Sequence, residues 1–487
     1  MKLKLIAVTA ALIAAAGISV SAQTPIKIEV NGNEVGFDTP PVIVNDRTMI
    51  PIRAVAEAMG LKVSWDGETK TARIQSSELS VFLTEGSDTM IKGEVSQQLD
   101  TAPMIINDRT CLPVRAVAEA FGAEVGWNGE EKLVSIKAPE CNKLINYKGA
   151  FKSDSLSYYY DDSLPNAEEN NKTAVLSAVA ALAANDEQNI KKFEENNGFT
   201  DIQSYNYDKD SNDKSGYSHK SDFTLAKKDI NGTNVISVVI RGTAGNEWYS
   251  NFDIYESTDK PSESHYGFRT AAEEIYNKLK DYANNESFVW ISGHSRGGAV
   301  AGELGRMLAA DKIKFAAYTF AAPNTTVNPD ASLPIYNYCR ENDVIAHIPC
   351  WDYRHCGKDI QLNAIDNKKF EELTGTEYKS LSSSDDVIKY FETLTANPNE
   401  YYDKKYNNLT MYEYFQNCIV PMLTGTSYSG LKMMFDSTYG NLTSFFVMHS
   451  GGEALKKYGI SITGDDDGNG IRFEHCIEAY ISSLRED

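Results

Sequence analysis

The segment that most constrains the fold runs from residue 288 to residue 308. Phe288-Val-Trp-Ile-Ser292 is an apolar run that predicts a buried strand. It leads directly into Gly293-His-Ser-Arg-Gly-Gly298, and an Ala- and Leu-rich stretch typical of a helix follows. A serine held in so tight a turn needs small neighbours, because side chains there would clash with the backbone. The pattern G-x-S-x-G between a strand and a helix therefore predicts a nucleophile elbow that exposes Ser295.

Further apolar strands flank this elbow and predict an α/β fold. They are 234–240, 315–320 and 335–339. Asp343 follows the last of these strands, where an α/β hydrolase places the acid that orients its catalytic His. The backbone amide of Arg296, at the start of the helix, is positioned to donate to a developing oxyanion.

The second half of the chain resembles the class 3 lipase family of extracellular triacylglycerol lipases over roughly residues 150–487. Five ordered segments carry the resemblance: VVIRGTAGNEW (238–248), SHYGFRTA (264–271), ISGHSRGGAVA (291–301), YTFAAPN (318–324) and NDVIAHIP (342–349). The resemblance implies an α/β-hydrolase fold in which Ser295 is the nucleophile and Asp343 orients the base. It also implies that Thr243 and the Arg296 amide form the oxyanion site. Arg296 stands where many members have Leu, and we expect its side chain to make the mouth of the cleft more polar.

The general base must be one of seven histidines. The triad order Ser, Asp, His on this fold excludes the histidines that precede Asp343 in the chain. His347 and His355 lie in segments that the family carries without catalytic duty. His475 heads a C-terminal amphipathic segment similar to that of the family's catalytic His, and a Tyr follows it. We predict His475 as the base, with His449 as the alternative.

An internal repeat defines the N-terminal region. Residues 45–65 (NDRTMIPIRAVAEAMGLKVSW) and 107–127 (NDRTCLPVRAVAEAFGAEVGW) are related by an offset of 62. Each copy predicts a strand, an Asn-Asp turn, a helix and a closing strand, and two copies suggest one small α+β domain. Over residues 25–138 the pattern resembles the copper amine oxidase N-terminal-like domain, a stalk-type module of exported bacterial proteins. No His occurs before residue 150, so an imidazole copper site is not expected there. A linker, 139–150, separates this domain from the hydrolase-like domain 151–487.

The first 22 residues predict a signal peptide. Two lysines precede an apolar run, and Val20-Ser21-Ala22 offers the small residues that a signal peptidase reads. An uncleaved membrane anchor is the alternative, since the run is nearly long enough to span a bilayer. We therefore expect a secreted or cell-surface bacterial protein, whose N-terminal domain either attaches it to the cell envelope or serves only as a spacer. Its formal net charge of −21 argues against nucleic-acid partners.

No cofactor is expected from the sequence. Asp465, Asp467 and Asn469 have calcium-loop spacing, but Cys476 replaces the closing Glu, so a plain acidic turn is favoured over a calcium site. The seven cysteines include no CxxC pair, which argues against structural zinc.

Residues 369–457 are more than the core sheet needs, and their helical patterns predict a helical cap over the active site. The alternative is an insertion that packs away from the cleft.

Together these features predict a secreted serine ester hydrolase, a lipase or esterase that cleaves acyl esters of lipids through an acyl-enzyme. The alternative is an envelope-associated protein with a catalytically silent hydrolase fold. A triacylglycerol lipase and a phospholipase A1-like enzyme are both compatible with the residues. Feruloyl and envelope esters also suit the same nucleophile, so the substrate stays open.

Overall fold

The structure is a computed structural model, which describes residues 25–165, 169–207, 219–243, 250–251, 263–284, 286–340, 343–347, 353–362, 365–377 and 475–485. Several predicted features lie outside these residues: the signal peptide 1–22, the insertion 369–457 beyond residue 377, the calcium-type residues Asp465, Asp467 and Asn469, and the alternative base His449. The chain divides into two compact units, of which the second comprises residues 60–62 and 75–78 and everything after 139. Within the described residues, no helix combines the length and the apolarity needed to cross a bilayer.

The N-terminal unit consists mostly of β-strands. They are β1 (Lys27–Val30), β2 (Asn33–Glu34), β3 (Val42–Val44), β4 (Arg47–Pro51), β5 (Lys62–Asp66), β6 (Thr71–Gln75), β7 (Ser80–Thr84), β8 (Thr89–Lys92), β9 (Val95–Gln98), β10 (Met104–Ile106), β11 (Arg109–Pro113), β12 (Glu124–Asn128) and β13 (Leu133–Lys137). They form sheets of order β12-β13-β1-β2, β10-β11-β4-β3 and β5-β6-β7-β8-β9. Each repeat also contributes a short helix, α1 (Ile52–Ala58) in the first and α2 (Val114–Ala120) in the second. The predicted α+β class is therefore confirmed only in part.

The two repeats pair in the middle of one sheet. In each copy the Asn-Asp turn has positive φ at both residues, 50° and 59°, as a two-residue hairpin turn requires. In the first copy α1 begins after Pro51, and β5 is the strand predicted to close the repeat. In the second copy α2 begins after Pro113, and the closing strand is β12. β4 and β11 run antiparallel side by side, with Leu112 opposite Ile50.

Two ion pairs connect the repeats reciprocally. Arg47 donates to Asp100, and Arg109 donates to Asp38. Both pairs are exposed, so each stabilises the fold little. Their partners differ in number by the same offset of 62, so each repeat offers the other an equivalent arginine and an equivalent aspartate.

The second unit contains a hairpin and a seven-stranded sheet. The hairpin is β14 (Asn142–Lys148) and β15 (Ser153–Tyr159). The sheet has the order in which its strands follow one another along the chain: β16 (Thr200–Tyr205), β17 (Phe223–Ile230), β18 (Thr233–Ile240), β19 (Phe288–His294), β20 (Lys314–Phe320), β21 (Ile335–Cys339) and β22 (Lys358–Gln361). β16 to β18 are antiparallel neighbours, and β18 to β22 are parallel. Parallel strands place their carboxyl ends at one edge of the sheet, and the candidate site lies at that edge.

Helices cover both faces of this sheet, as an α/β architecture requires. They are α3 (Asn171–Ala183), α4 (Glu187–Asn196), α5 (Tyr266–Leu279), α6 (Arg296–Ala310), α7 (Asn367–Thr374) and α8 (Ile477–Leu484), with a 3-10 turn at Val344–His347. Side chains alternate along β19, so Trp290 packs in the core with α3, α4 and α8. Val289 and Ile291 pack in the opposite core with α5 and α6. The strands and helices predicted around the elbow are confirmed.

A buried carboxyl group on α4 gives this unit a pH-dependent stability. Glu194 is fully buried, and the Ser237 hydroxyl donates to its Oε1 at 2.7 Å. Its Oε2 has no hydrogen-bond partner among the residues that the structure describes. Burial raises the pKa of Glu194 from 4.5 to about 8, despite the opposing hydrogen bond from Ser237. The folded protein therefore holds a proton on Glu194 that the unfolded chain releases.

Glu194→Gln is expected to raise the melting temperature at alkaline pH. In the unfolded chain the Glu194 carboxyl ionises near pH 4.5, and in the folded protein it ionises near pH 8. The free energy of unfolding of the wild type therefore falls as pH rises between these two values. The neutral amide removes this loss, so the difference between variant and wild type should grow over that interval and then stay constant. Thermal unfolding across pH measures it. Glu195→Gln, on the exposed face of the same helix, is the matched control, and an unchanging difference would contradict the assignment.

Candidate active site

The elbow holds Ser295 in a strained backbone conformation. Ser295 has φ 56° and ψ −127°, and its N–H donates to the Phe320 carbonyl at 2.8 Å. A Cβ added at Gly293 would lie 2.3 Å from the Gly297 carbonyl oxygen, and one added at Gly297 would lie 2.4 Å from the Ile240 oxygen. Only glycine fits at both positions. The two glycines of the G-x-S-x-G pattern are therefore required because other backbone atoms lie too close for a side chain.

The structure brings together the three residues predicted as a triad. The Ser295 hydroxyl lies 2.8 Å from His475 Nε2. His475 Nδ1 lies 2.9 and 3.0 Å from the two carboxylate oxygens of Asp343. Because a carboxylate only accepts, Nδ1 carries the ring proton, and Nε2 is left with a lone pair facing the Ser295 hydroxyl. This is the tautomer that a general base for Ser295 requires.

Asp343 is an ionised carboxylate in a buried position. Its side chain has no exposed surface. Burial would raise the pKa of Asp343, but the charge and hydrogen bond of His475 and the hydroxyl of Tyr480 outweigh it and hold the pKa below its usual value. Tyr480 Oη donates to Oδ2 at 2.7 Å, and the Ile345 N–H donates to Oδ1 at 3.1 Å. These donors fix the carboxylate in the orientation that meets His475.

His294 contacts the backbone of His475, the residue predicted as the base. Its Nε2–H donates to the backbone carbonyl of His475 at 2.6 Å, and the two rings lie 5.1 Å apart. Burial, together with the neighbouring imidazole of His475, lowers the pKa of His294 to about 3. His294 therefore stays neutral and keeps this donor. The chain-order argument that excludes it as the base gives no indication of this contact.

The two predicted oxyanion donors lie beside the elbow. Arg296 is the first residue of α6, and first-turn amides of a helix have no intrahelical acceptor. Gly242, the neighbour of Thr243, is so close to the elbow that an added Cβ would be 3.8 Å from Ser295 Cβ. Thr243 Oγ1 accepts from Asn251 Nδ2 at 2.9 Å, which leaves its own hydroxyl hydrogen as a donor.

The expected role of the Arg296 side chain is wrong. The residue is only 1% exposed, so its guanidinium does not line the mouth of the cleft. It donates to Asn251 Oδ1 at 3.0 Å, to Ser221 Oγ at 3.2 Å and to the His219 carbonyl at 2.9 Å. Arg296 and Thr243 thus hold Asn251 between them. The side chain ties the elbow to Asn251, which in turn donates to Thr243, and the sequence contains no local signal for this contact.

The structure also locates the two histidines that the family resemblance set aside as the base. His355 lies outside the triad and contacts Asp359 and the Ala322 carbonyl. The backbone of His347 ends the 3-10 turn that follows Asp343. Tyr480, the tyrosine that follows His475 in the sequence, lies on α8 and donates to Asp343, a contact that the sequence does not indicate.

Parts of this chain are similar to known proteins. A curated relative named "Protease inhibitor", from Brevibacillus choshinensis, is 31% identical over 126 residues, or 24% of this chain. The match spans only 37% of that relative's length. Among solved structures, Lip2 lipase from Yarrowia lipolytica is 19% identical, with 39% of this chain and 77% of that one covered at a TM-score of 0.29. A triacylglycerol lipase from Penicillium expansum is 16% identical, covering 30% and 67% at a TM-score of 0.22.

Two segments match described families, as both resemblances in the sequence predict. Residues 29–136 match the copper amine oxidase N-terminal domain, and residues 237–353 match the class 3 lipases. The second match includes Thr243, Ser295, Arg296 and Asp343, whereas His475 lies beyond it. The chain is therefore similar to the copper amine oxidase N-terminal domain in its first part and to the class 3 lipases, a family of α/β hydrolases, in its second.

Proposed function

We propose that this protein is an exported serine ester hydrolase with Ser295, His475 and Asp343 as its catalytic triad. The observation that carries the proposal is the continuous hydrogen-bonded chain from the Ser295 hydroxyl through both nitrogens of His475 to Asp343. The lipase-like match around Ser295 and Asp343 supports the same reaction class. The apolar N-terminal segment supports export, and the N-terminal domain is proposed to attach the enzyme to the cell envelope.

The reaction follows from the position of each proton. Ser295 Oγ attacks the acyl carbonyl while His475 Nε2 takes the hydroxyl proton, and buried Asp343 stabilises the imidazolium that forms. The Arg296 amide and the Thr243 hydroxyl donate to the tetrahedral oxyanion. When the intermediate collapses, His475 returns the proton to the leaving alcohol. A water molecule, activated by the same imidazole, then hydrolyses the acyl-enzyme and regenerates Ser295.

The proposed substrate class is lipid esters, with a triacylglycerol or the sn-1 ester of a phospholipid as the finer candidates. This choice rests on the family that residues 237–353 resemble. The catalytic groups themselves act on any accessible acyl ester, so they do not distinguish long chains from short ones. Chain-length preference is therefore the property to measure.

We expect hydrolysis of p-nitrophenyl esters, tested from acetate to palmitate, together with covalent labelling by a fluorophosphonate probe at Ser295. A long-chain optimum supports a lipase, and an acetate optimum supports a small-ester esterase. Ser332→Ala removes an exposed turn hydroxyl and is the control that keeps the label, whereas Ser295→Ala loses it. If a folded wild type is neither labelled nor active at any chain length, the catalytically silent alternative is correct.

A further inference from the structure

Three potential metal ligands converge outside the triad. Cys339 ends β21, His355 precedes β22, and Asp359 lies within β22. One ligand atom from each, a thiol sulfur, a ring nitrogen and a carboxylate oxygen, lies within 4.8 Å of the other two. The proposed ester hydrolysis uses none of these groups.

The register of two strands creates this cluster. β21 and β22 are parallel, with Asn337 opposite Asp359. Side chains two positions apart in a strand lie on the same face, so Cys339 shares a face with Asn337 and approaches Asp359. Asn337 Nδ2 donates to Asp359 Oδ1 at 3.1 Å, which orients the carboxylate. His355 then reaches the same face, and its Nδ1 lies 2.9 Å from Asp359 Oδ1.

The second ring nitrogen of His355 has the partner that a metal-bound imidazole needs. Its Nε2–H donates to the Ala322 carbonyl at 2.7 Å. A histidine that binds a metal through one nitrogen usually donates its other N–H to a carbonyl or carboxylate, which fixes the ring and its tautomer. The ring is held firmly, because its side chain is only 5% exposed. Nδ1 faces the Asp359 carboxylate and carries a proton there, so a metal ion that binds this nitrogen must displace that proton.

We infer that Cys339, His355 and Asp359 bind one zinc ion. A thiolate, an imidazole and a carboxylate are all zinc ligands, whereas calcium and magnesium take oxygen ligands. Tetrahedral ligands at zinc distances lie about 3.3–3.7 Å apart, so the 2.9 Å contact between His355 and Asp359 must open by a few tenths of an ångström. The Asp359 side chain is 63% exposed, so its carboxylate can make that shift. Its exposure also leaves the fourth position open to water.

The ion would cross-link the end of β21 to the start of β22. Cys339 lies four residues before Asp343, and the Ala322 carbonyl that holds His355 lies just beyond β20. The site therefore stabilises the segment from which the triad acid projects, without touching the reacting atoms. Zinc binding is expected to raise the melting temperature, because the folded chain assembles ligands that the unfolded chain does not.

The test uses the full chain, reduced, dialysed against a chelator and then titrated with zinc alone. Asp359→Asn is expected to weaken binding by at least about tenfold, since even a group that only hydrogen-bonds to a ligand alters metal affinity by that much. Cobalt(II) in place of zinc should give a thiolate charge-transfer band that disappears in Cys339→Ser. Cys141→Ser is the matched control, because Cys141 lies elsewhere in the unit and should change neither result.

Two results would overturn the inference. One is a thiolate–cobalt band that persists in folded Cys339→Ser, which would assign the metal to another cysteine. The other is equal zinc affinity and equal thermal stabilisation by zinc in wild type and Asp359→Asn, which would leave the cluster as a hydrogen-bonded group only. Asp359 is exposed, so its variant folds even if the buried Cys339 and His355 variants do not.

Discussion

Replacing Ser295 with alanine is expected to lower kcat/KM for ester hydrolysis by about 10⁵- to 10⁶-fold. The hydroxyl is the only group lost, and in the proposed mechanism its oxygen attacks the ester. The melting temperature should stay close to that of the wild type, because alanine keeps the Cβ and the backbone bond to Phe320. Steady-state hydrolysis of the preferred p-nitrophenyl ester measures the rate, and thermal unfolding measures the stability.

The triad also predicts that this loss is not additive. His475→Ala alone should cost about as much as Ser295→Ala, since either change removes the activated hydroxyl. The double variant should then be little worse than either single one. Losses that multiply in the double variant would mean that the two residues act independently. His475→Ala retaining nearly full activity would instead favour His449 as the base.

Asp343→Asn is expected to lower kcat by about 10⁴-fold. The asparagine amide can donate to His475 Nδ1, which favours the tautomer whose Nε2 carries the proton. That nitrogen then faces Ser295 as a donor and cannot accept its hydroxyl proton. The size of the side chain is unchanged, so the loss reports on the tautomer and on the missing charge opposite the imidazolium. Single-turnover hydrolysis at saturating substrate isolates this step.

Tyr480→Phe is the matched control for Asp343. It removes only the hydroxyl that donates to the carboxylate, and the acid itself remains. We expect a loss of about tenfold, in keeping with one hydrogen bond to a charged acceptor. If Asp343→Asn is no slower than Tyr480→Phe, then Asp343 does not orient the base, and another acid must be sought.

Local motifs, chain order and the family resemblance together predicted the residues that meet at the candidate site. Ser295 has a clear local signal, and Asp343 follows from its place after a strand downstream of the elbow. Triad order alone left four histidines, and the resemblance favoured His475, with His449 as the alternative. The sequence did not predict contacts that depend on the direction in which a packed side chain points. A charged Arg296 suggests a side chain in solvent, yet the first turn of α6 aims it inward at Asn251, 45 residues away along the chain. His294 was excluded as a base, and only the tertiary structure reveals its bond to the His475 carbonyl.

Tertiary structure also explains why the sequence did not predict the proposed zinc ligands or the full architecture of the N-terminal unit. Cys339 and Asp359 meet because two parallel strands adopt a particular register, and ligand spacing along the chain cannot reveal that register. Local periodicity located the repeat, its turns and its helix. Each helix has only seven residues, however, and the many short strands around it dominate the unit. The fold class was therefore predicted well for the sheet around Ser295 and only coarsely before it.

The reciprocal ion pairs between the repeats have an evolutionary consequence. In a twofold symmetric dimer, if one residue contacts a second, then the second contacts the first across the interface. Arg47 with Asp100 and Arg109 with Asp38 obey this rule within a single chain. At this contact the N-terminal unit therefore has the reciprocal arrangement of a homodimer interface within a single chain. Because the two repeats are covalently joined, the contact does not depend on the concentration of a partner, and one repeat can diverge in sequence while the strand pair that the repeats share is kept.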